Sequence, residues 1–325
     1  MTKSTRYFMA GSAAVMAAGL CTGLVAFYGG GFQPVWASSV STELVYVPAD
    51  ATMVAYADVR SIMDSELRQQ LKQAIPTPTG QQEFQEKTGI DIDRDIDYVV
   101  AAMTSVDSGR PSGLVVARGR FDAVTLEALA REHGGTVEEY KGKRLVNSPA
   151  ESTEQITLAF LEAGPAPALI AVGSSSAVRH AIDAATSATS ITSNDEMMNL
   201  VKDIETGNNA WAVGRFDVLL SRGQLPQEVA QHIPPVKWFA AAGHINGGVS
   251  GLLRAEANDE ESAQRLRDVV RGFLALAQLQ GQNDPRIASL ASSMQLSGDG
   301  KTVALSFSVP AEILQLMTPK VPAIQ

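Results

Sequence analysis

The stretch Trp238-Phe239-Ala240-Ala241-Ala242-Gly243-His244-Ile245-Asn246-Gly247-Gly248-Val249-Ser250-Gly251-Leu252-Leu253-Arg254 decides the fold class. Its first five residues favour an extended chain. Asn246-Gly247 then supplies the two positive-φ positions of a type I′ turn, and Val249 to Arg254 return as a second strand. The arrangement occurs once more, earlier in the chain. Tyr98-Val99-Val100-Ala101-Ala102-Met103 reads as a buried strand, Asp107-Ser108-Gly109 as its turn and Leu114-Val115-Val116-Ala117 as the return. Antiparallel hairpins alternating with helical patterns predict an α+β fold, with helices packed on the sheet.

Outward from the hairpins, Val54 to Asp58 and Ala210 to Val213 read as the first strands of two units, each followed by a polar turn. After the first strand, Ile62, Met63, Leu67, Leu71 and Ala74 form one helical stripe opposite Glu66, Arg68, Gln69 and Lys72, stopping near Pro76 and Pro78. A short helix is expected around Phe84, closed by Gly89. Each hairpin then feeds a helix. Asp122 caps the first, with Val124, Leu126, Leu129 and Ala130 apolar and Gly134 as its stop. Asn258 with Glu261 reads as a capping box for the second, whose apolar stripe runs Ala263, Leu266, Val270, Phe273, Ala277 and ends at Gly281. Further strands follow at 144–146, 156–161, 168–172, 294–296 and 303–307. A closing helix begins near Ser174 in one half and at Pro310 in the other. The expected units span residues 43–185 and 194–318, joined by the Ser/Thr-rich stretch Thr186 to Ser193, with 319–325 as a tail. Gly119-Arg120-Phe121-Asp122 recurs as Gly214-Arg215-Phe216-Asp217, and Val47-Pro48-Ala49-Asp50 as Val309-Pro310-Ala311-Glu312, which suggests that the units are related.

Residues 1–37 carry the clearest functional signal. Lys3 and Arg6 precede an uncharged run from Phe8 to Tyr28, long enough as a helix to cross a hydrocarbon core of about 30 Å. Gly29-Gly30-Gly31, Pro34 and Val35-Trp36-Ala37 also resemble the end of a signal peptide, so a retained anchor through residues 8–28 and cleavage after Ala37 both stand. Either fate exports the body of the chain, since the basic residues lie on the N-terminal side of the run. The expected location is a bacterial cell envelope: a single-pass protein with its N-terminus in the cytoplasm, or a secreted or periplasmic one. Leu20 before Cys21 departs from the small residue of a lipoprotein site, and Gly19 with Gly23 forms a GxxxG pair.

Composition narrows the remaining choices. The 325 residues suffice for two ordinary domains, and 45% hydrophobic with 19% charged residues excludes disorder and a multi-span membrane protein. A net charge of −9 with no basic cluster argues against nucleic acid. Without residues 1–37 the body retains 24 basic and 35 acidic residues. Cys21 is the only cysteine, so the body has no internal disulfide, thiolate metal site or cysteine nucleophile.

The run Val47-Pro48-Ala49-Asp50, Val54-Ala55-Tyr56-Ala57-Asp58-Val59, Thr88-Gly89-Ile90-Asp91 and Asp95-Ile96-Asp97-Tyr98, with Leu169-Ile170-Ala171-Val172-Gly173, resembles bacterial exported or membrane-anchored proteins of unknown function. The resemblance implies a location and a two-unit α+β body. It transfers no catalytic residue.

Chemistry-bearing patterns are sparse. Asp91, Asp93, Asp95 and Asp97 have the alternate spacing of a calcium loop, but Ile96 replaces its turn glycine and Ala102 its bidentate glutamate, so a solvated turn is expected. His133, His180, His232 and His244 are scattered; His133 reads as part of a helix end and His244 as a hairpin residue. Gly173-Ser174-Ser175-Ser176 reads as a helix cap lacking a P-loop lysine. Trp211, Trp238, Phe239, Met197 and Met198 read as core. No catalytic, cofactor-binding or metal residue is assigned and no cofactor is expected. The leading expectation is a non-enzymatic interaction or scaffold module tethered at the membrane, which requires an exposed apolar patch and an envelope protein partner. A periplasmic binder of an apolar or lipid-like ligand, with a roomy cavity, and a hydrolase of unknown substrate are the alternatives.

Overall fold

The computed structural model describes residues 42–74, 85–86, 88–106, 110–149, 155–162, 167–216, 234–282 and 285–311. The N-terminal apolar run, the hairpin turn at 107–109, the expected helix at Phe84 and the tail lie outside them.

Twelve strands form one antiparallel sheet. They are β1 (Met53–Asp58), β2 (Ile96–Val106), β3 (Arg110–Gly119), β4 (Thr136–Tyr140), β5 (Lys143–Asn147), β6 (Ile156–Glu162), β7 (Ala168–Ser174), β8 (Ala210–Arg215), β9 (Val236–Ile245), β10 (Gly248–Ala257), β11 (Gln295–Ser297) and β12 (Thr302–Pro310). Their order is β11-β12-β10-β9-β8-β1-β2-β3-β7-β6-β5-β4. Both expected hairpins are present: Val100 faces Val116 across β2–β3, and Ala242 faces Leu252 across β9–β10. The connection between β9 and β10 is not the expected type I′ turn: neither Asn246 nor Gly247 has a positive φ, and three residues separate the paired Ile245 and Val249. The first strands of the two expected units pair with each other, Tyr56 opposite Trp211, so the sheet runs unbroken through the middle of the molecule. Outward from this junction, β8-β9-β10-β12-β11 repeats the sequence of connections seen in β1-β2-β3-β7-β6.

Eight α-helices accompany the sheet among the described residues: α1 (Val59–Met63), α2 (Glu66–Ala74), α3 (Ile92–Asp95), α4 (Ala123–Glu132), α5 (Ser175–Ser187), α6 (Asp195–Glu205), α7 (Glu260–Gly281) and α8 (Pro285–Ser293). None of the helices among those residues is long and apolar enough to cross a membrane.

Alternate strand residues divide the apolar side chains between two faces. On the front, Val54, Val100, Leu114, Leu169, Ala159, Trp211, Val213 and Ala240 join one continuous core with Val178 and Ile182 of α5 and Met197, Val201 and Ile204 of α6. The back is covered in separate patches. Ala55, Ala57, Ala210 and Ala212 meet Val59 and Ile62 of α1 and Leu67 of α2. Ala117, Val146, Phe160 and Ile170 lie under Leu126 and Ala130 of α4, while Ala257 and Val303 receive Ala263 and Leu266 of α7.

Helix ends follow local chemistry, with one shift. Asp122 accepts from the Val124 and Thr125 amides, and Ser174 from Ala177, as the sequence suggests. For α7 the cap is Asp259, whose carboxylate accepts from the Ser262 amide at 2.7 Å, in place of the expected Asn258. The Asp259 carboxyl is held below the usual range by that bond and a second one from the Ser262 side chain. The Ser/Thr-rich stretch is no loose linker. Ser190 bridges to Pro48, the Ile191 amide donates to the Val47 carbonyl, and Ile191 is buried.

Candidate interaction surface

The largest cluster of exposed apolar side chains among the described residues lies on α7. This helix runs 22 residues after a hairpin, and its acidic first turn, Glu260 and Glu261, suits the positive end of the helix dipole. Its first three turns are seated on the sheet. Ala263 is fully buried, Leu266 packs toward Val303, and Arg267 donates to the carbonyls of Gly300 at 2.7 Å and Thr302 at 3.0 Å. Farther along, Val270, Leu274 and Ala277 are half-buried, and Gly281 ends the seam against α8. A Cβ at Gly281 would stand 2.7 Å from the Ala288 Cα, so only glycine permits so close an approach of the two helices.

The opposite side of the same turns is also apolar. Phe273, Leu276 and Leu279 are 60%, 57% and 59% exposed. Gly272 and Ala275 are exposed beside them, and between Val269 and Gln282 the only charged residue is Arg271. A helix apolar on two sides is built to be covered on both. The sequence reading placed Phe273 on the buried stripe; in the structure that stripe passes through Leu274, and Phe273 turns outward. The helical period was legible, but which of two apolar stripes meets the sheet was not, because both have core-like spacing.

The other positions singled out from sequence resolve into local structure. The four aspartates near Asp91 do not converge. Asp97 pairs with Arg60 at 2.5 Å, Asp93 approaches Arg68 and Asp95 approaches Arg120, each at 3.7 Å, while Asp91 caps α3. No group of three His, Cys, Asp or Glu side chains among the described residues is arranged to hold a metal ion. His133 is the C-cap of α4, and Gly134 follows at φ +81°. Ser174 is bonded to Ser112 and Ser176 as well as to its helix. Met197, Met198, Trp211 and Trp238 are buried, and Phe239 is half-buried.

His244 is the most unusual of these residues. It is 7% exposed, bonded to the Gly207 backbone, and its Nε2 has no partner; burial pushes its pKa down. Ser250 faces it across β9–β10, fully buried, with its Oγ also unpartnered. Such burial closes the pair to a dissolved substrate. Two features escaped the sequence reading. Tyr98, Tyr56 and Trp211 stack across the three central strands, with centroids 6.2 and 5.7 Å apart. Nearby, Arg118 bridges buried Glu43 at 2.5 Å and half-exposed Glu162 at 3.2 Å. Residues 75 and 119 positions apart in sequence meet here, so no short motif signals either group.

No protein-family model matches the chain, and no curated protein matches it. Among solved structures it is similar to two crystal forms of TP0453, I and III, each with a TM-score of 0.48 and with 12% and 13% identity. Each likeness covers 85% of this chain and 96% of the other.

Proposed function

We propose that the protein is a non-enzymatic interaction module of the bacterial envelope, tethered at the membrane by residues 8–28, whose contact surface is the outer side of α7. One observation carries this reading: Phe273, Leu276 and Leu279 stand exposed on a helix whose other side is already packed. Leaving these three side chains more than half exposed forgoes about 1 kcal/mol each, which a contact recovers. The apolar run at the N-terminus, with its basic residues before it, supports an outward-facing body beside a membrane. The repeated order of strands outward from β1 and β8 supports two related units that share one sheet. In this reading the units form a rigid platform that holds α7 at one side.

A photo-crosslinking residue in place of Leu276, introduced into the full chain in intact cells, tests the reading. A discrete adduct with a protein is expected, and none from the same residue at Val124, which is exposed alone on α4. Equal, diffuse labelling from both positions overturns it.

A further inference from the structure

We infer that the outer side of α7 pairs with the same helix of a second copy of this chain, antiparallel, about a two-fold axis level with residue 274. The inference rests on the reading of α7 as the contact surface and names its occupant. Val269, Gly272, Leu276 and Leu279 are spaced three, four and three residues apart, the pattern of a seam that meets another helix. A helix lying on a lipid surface ordinarily carries several Lys and Arg beside its apolar face, whereas between Val269 and Gln282 the one charged residue is Arg271.

The stripe is complementary to itself. Antiparallel pairing about residue 274 brings Leu276 of one copy over Gly272 of the other and Leu279 over Val269, and sets the two Phe273 rings side by side along one flank. In the two central layers a large side chain meets the small Gly272. A Cβ built at Gly272 has nothing within 4 Å, so the hollow that would take Leu276 is open in the single chain. The positions flanking the seam from Val269 to Gln282 are Phe273, Ala275, Gln280 and Gln282, all uncharged. The chain's net charge of −9 therefore sets no acidic pair against its copy along this seam, and Asp268 falls beside Gln282. Two-fold pairing needs each surface to fit itself, which is what this stripe supplies.

A seam of eleven residues is only about 16 Å long, less than a tight dimer ordinarily buries. Pairing is accordingly weak in dilute solution and is strengthened when tethers confine both copies to one membrane.

Disulfide mapping on the full chain tests this. Two differently tagged chains, both carrying Cys21→Ser, are co-expressed, one with Gly272→Cys and the other with Leu276→Cys; envelopes are then oxidised mildly. The mixed disulfide is expected to exceed either like-with-like product by about fivefold, because only the mixed pair brings two Cβ atoms to bonding separation. Adding Leu279→Asp to both chains abolishes the mixed disulfide. Monomers alone, a preference for Leu276→Cys with itself, or a disulfide to a different protein overturns the inference. The same samples separate it from the tether: a mixed disulfide in chains absent from the membrane fraction removes the tether and leaves the pairing, whereas membrane-bound chains without the disulfide do the reverse.

Discussion

At the scale of single residues, two buried polar groups set measurable demands. His244 is buried, so its folded pKa lies below the unfolded value of about 6.5. The unfolded chain then takes up a proton that the native chain refuses, and stability falls as pH drops from above that value toward the folded pKa. Asp58 and Glu205 shift the other way, raised by burial, and oppose the trend at lower pH. The difference between wild type and His244→Gln isolates the histidine: the wild-type urea midpoint is expected to fall more between pH 7.5 and 5.5 than that of the variant. Glu43 makes a second demand. Its carboxylate is 6% exposed and depends on Arg118, so Arg118→Met leaves a buried charge unpaired and costs about 3 kcal/mol. Glu43→Gln added to Arg118→Met restores most of that loss, measured by urea unfolding.

At the scale of elements, the two apolar stripes of α7 and the strands of the sheet respond differently to truncation. Leu169 on β7 is fully buried in the front core, and Leu169→Ala is expected to cost about 3 kcal/mol. Leu276 on α7 is exposed, and Leu276→Asp is expected to change unfolding of the purified chain by no more than about 0.5 kcal/mol. A large loss at Leu276 would mean that this side chain already packs within its own chain.

Much of the element layer was legible in the sequence for physical reasons. Asp122 and Ser174 each satisfy helix amides within three residues, and both hairpins read directly from their β-favouring strands, although the turn at Asn246-Gly247 takes another form than the dipeptide suggests. Periodicity does not say which side of an all-round apolar helix faces inward, and this is where Phe273 was misplaced. Nor does it say that Tyr56 pairs with Trp211, a contact between strands more than 150 residues apart. The N-cap of α7 moved by one residue because Asn258 and Asp259 are both competent caps and the hairpin's end decides between them.

At the scale of the molecule, one sheet of twelve strands joins both halves, and its front core passes through β8 and β1 without interruption. Its edges are guarded in two ways. β11 has only three residues, and β4 places Glu138 and Glu139 along the other rim, which discourages pairing with further strands. With the edges blunted, the outer side of α7 carries the largest cluster of uncovered apolar side chains among the described residues. Under the proposed function, the sheet holds α7 in place and the helix makes the contact.

The most direct test is the rate at which a maleimide labels a single cysteine at Leu276→Cys, compared with Val124→Cys, in full-length chains carrying Cys21→Ser. Both positions are exposed in the isolated chain, so their rates should be similar after purification. In intact envelopes the account predicts that labelling at 276 slows about tenfold or more while 124 is unchanged, since a covered side chain must first be released. Equal rates at both positions in the envelope would contradict the claim that α7 is the contact surface.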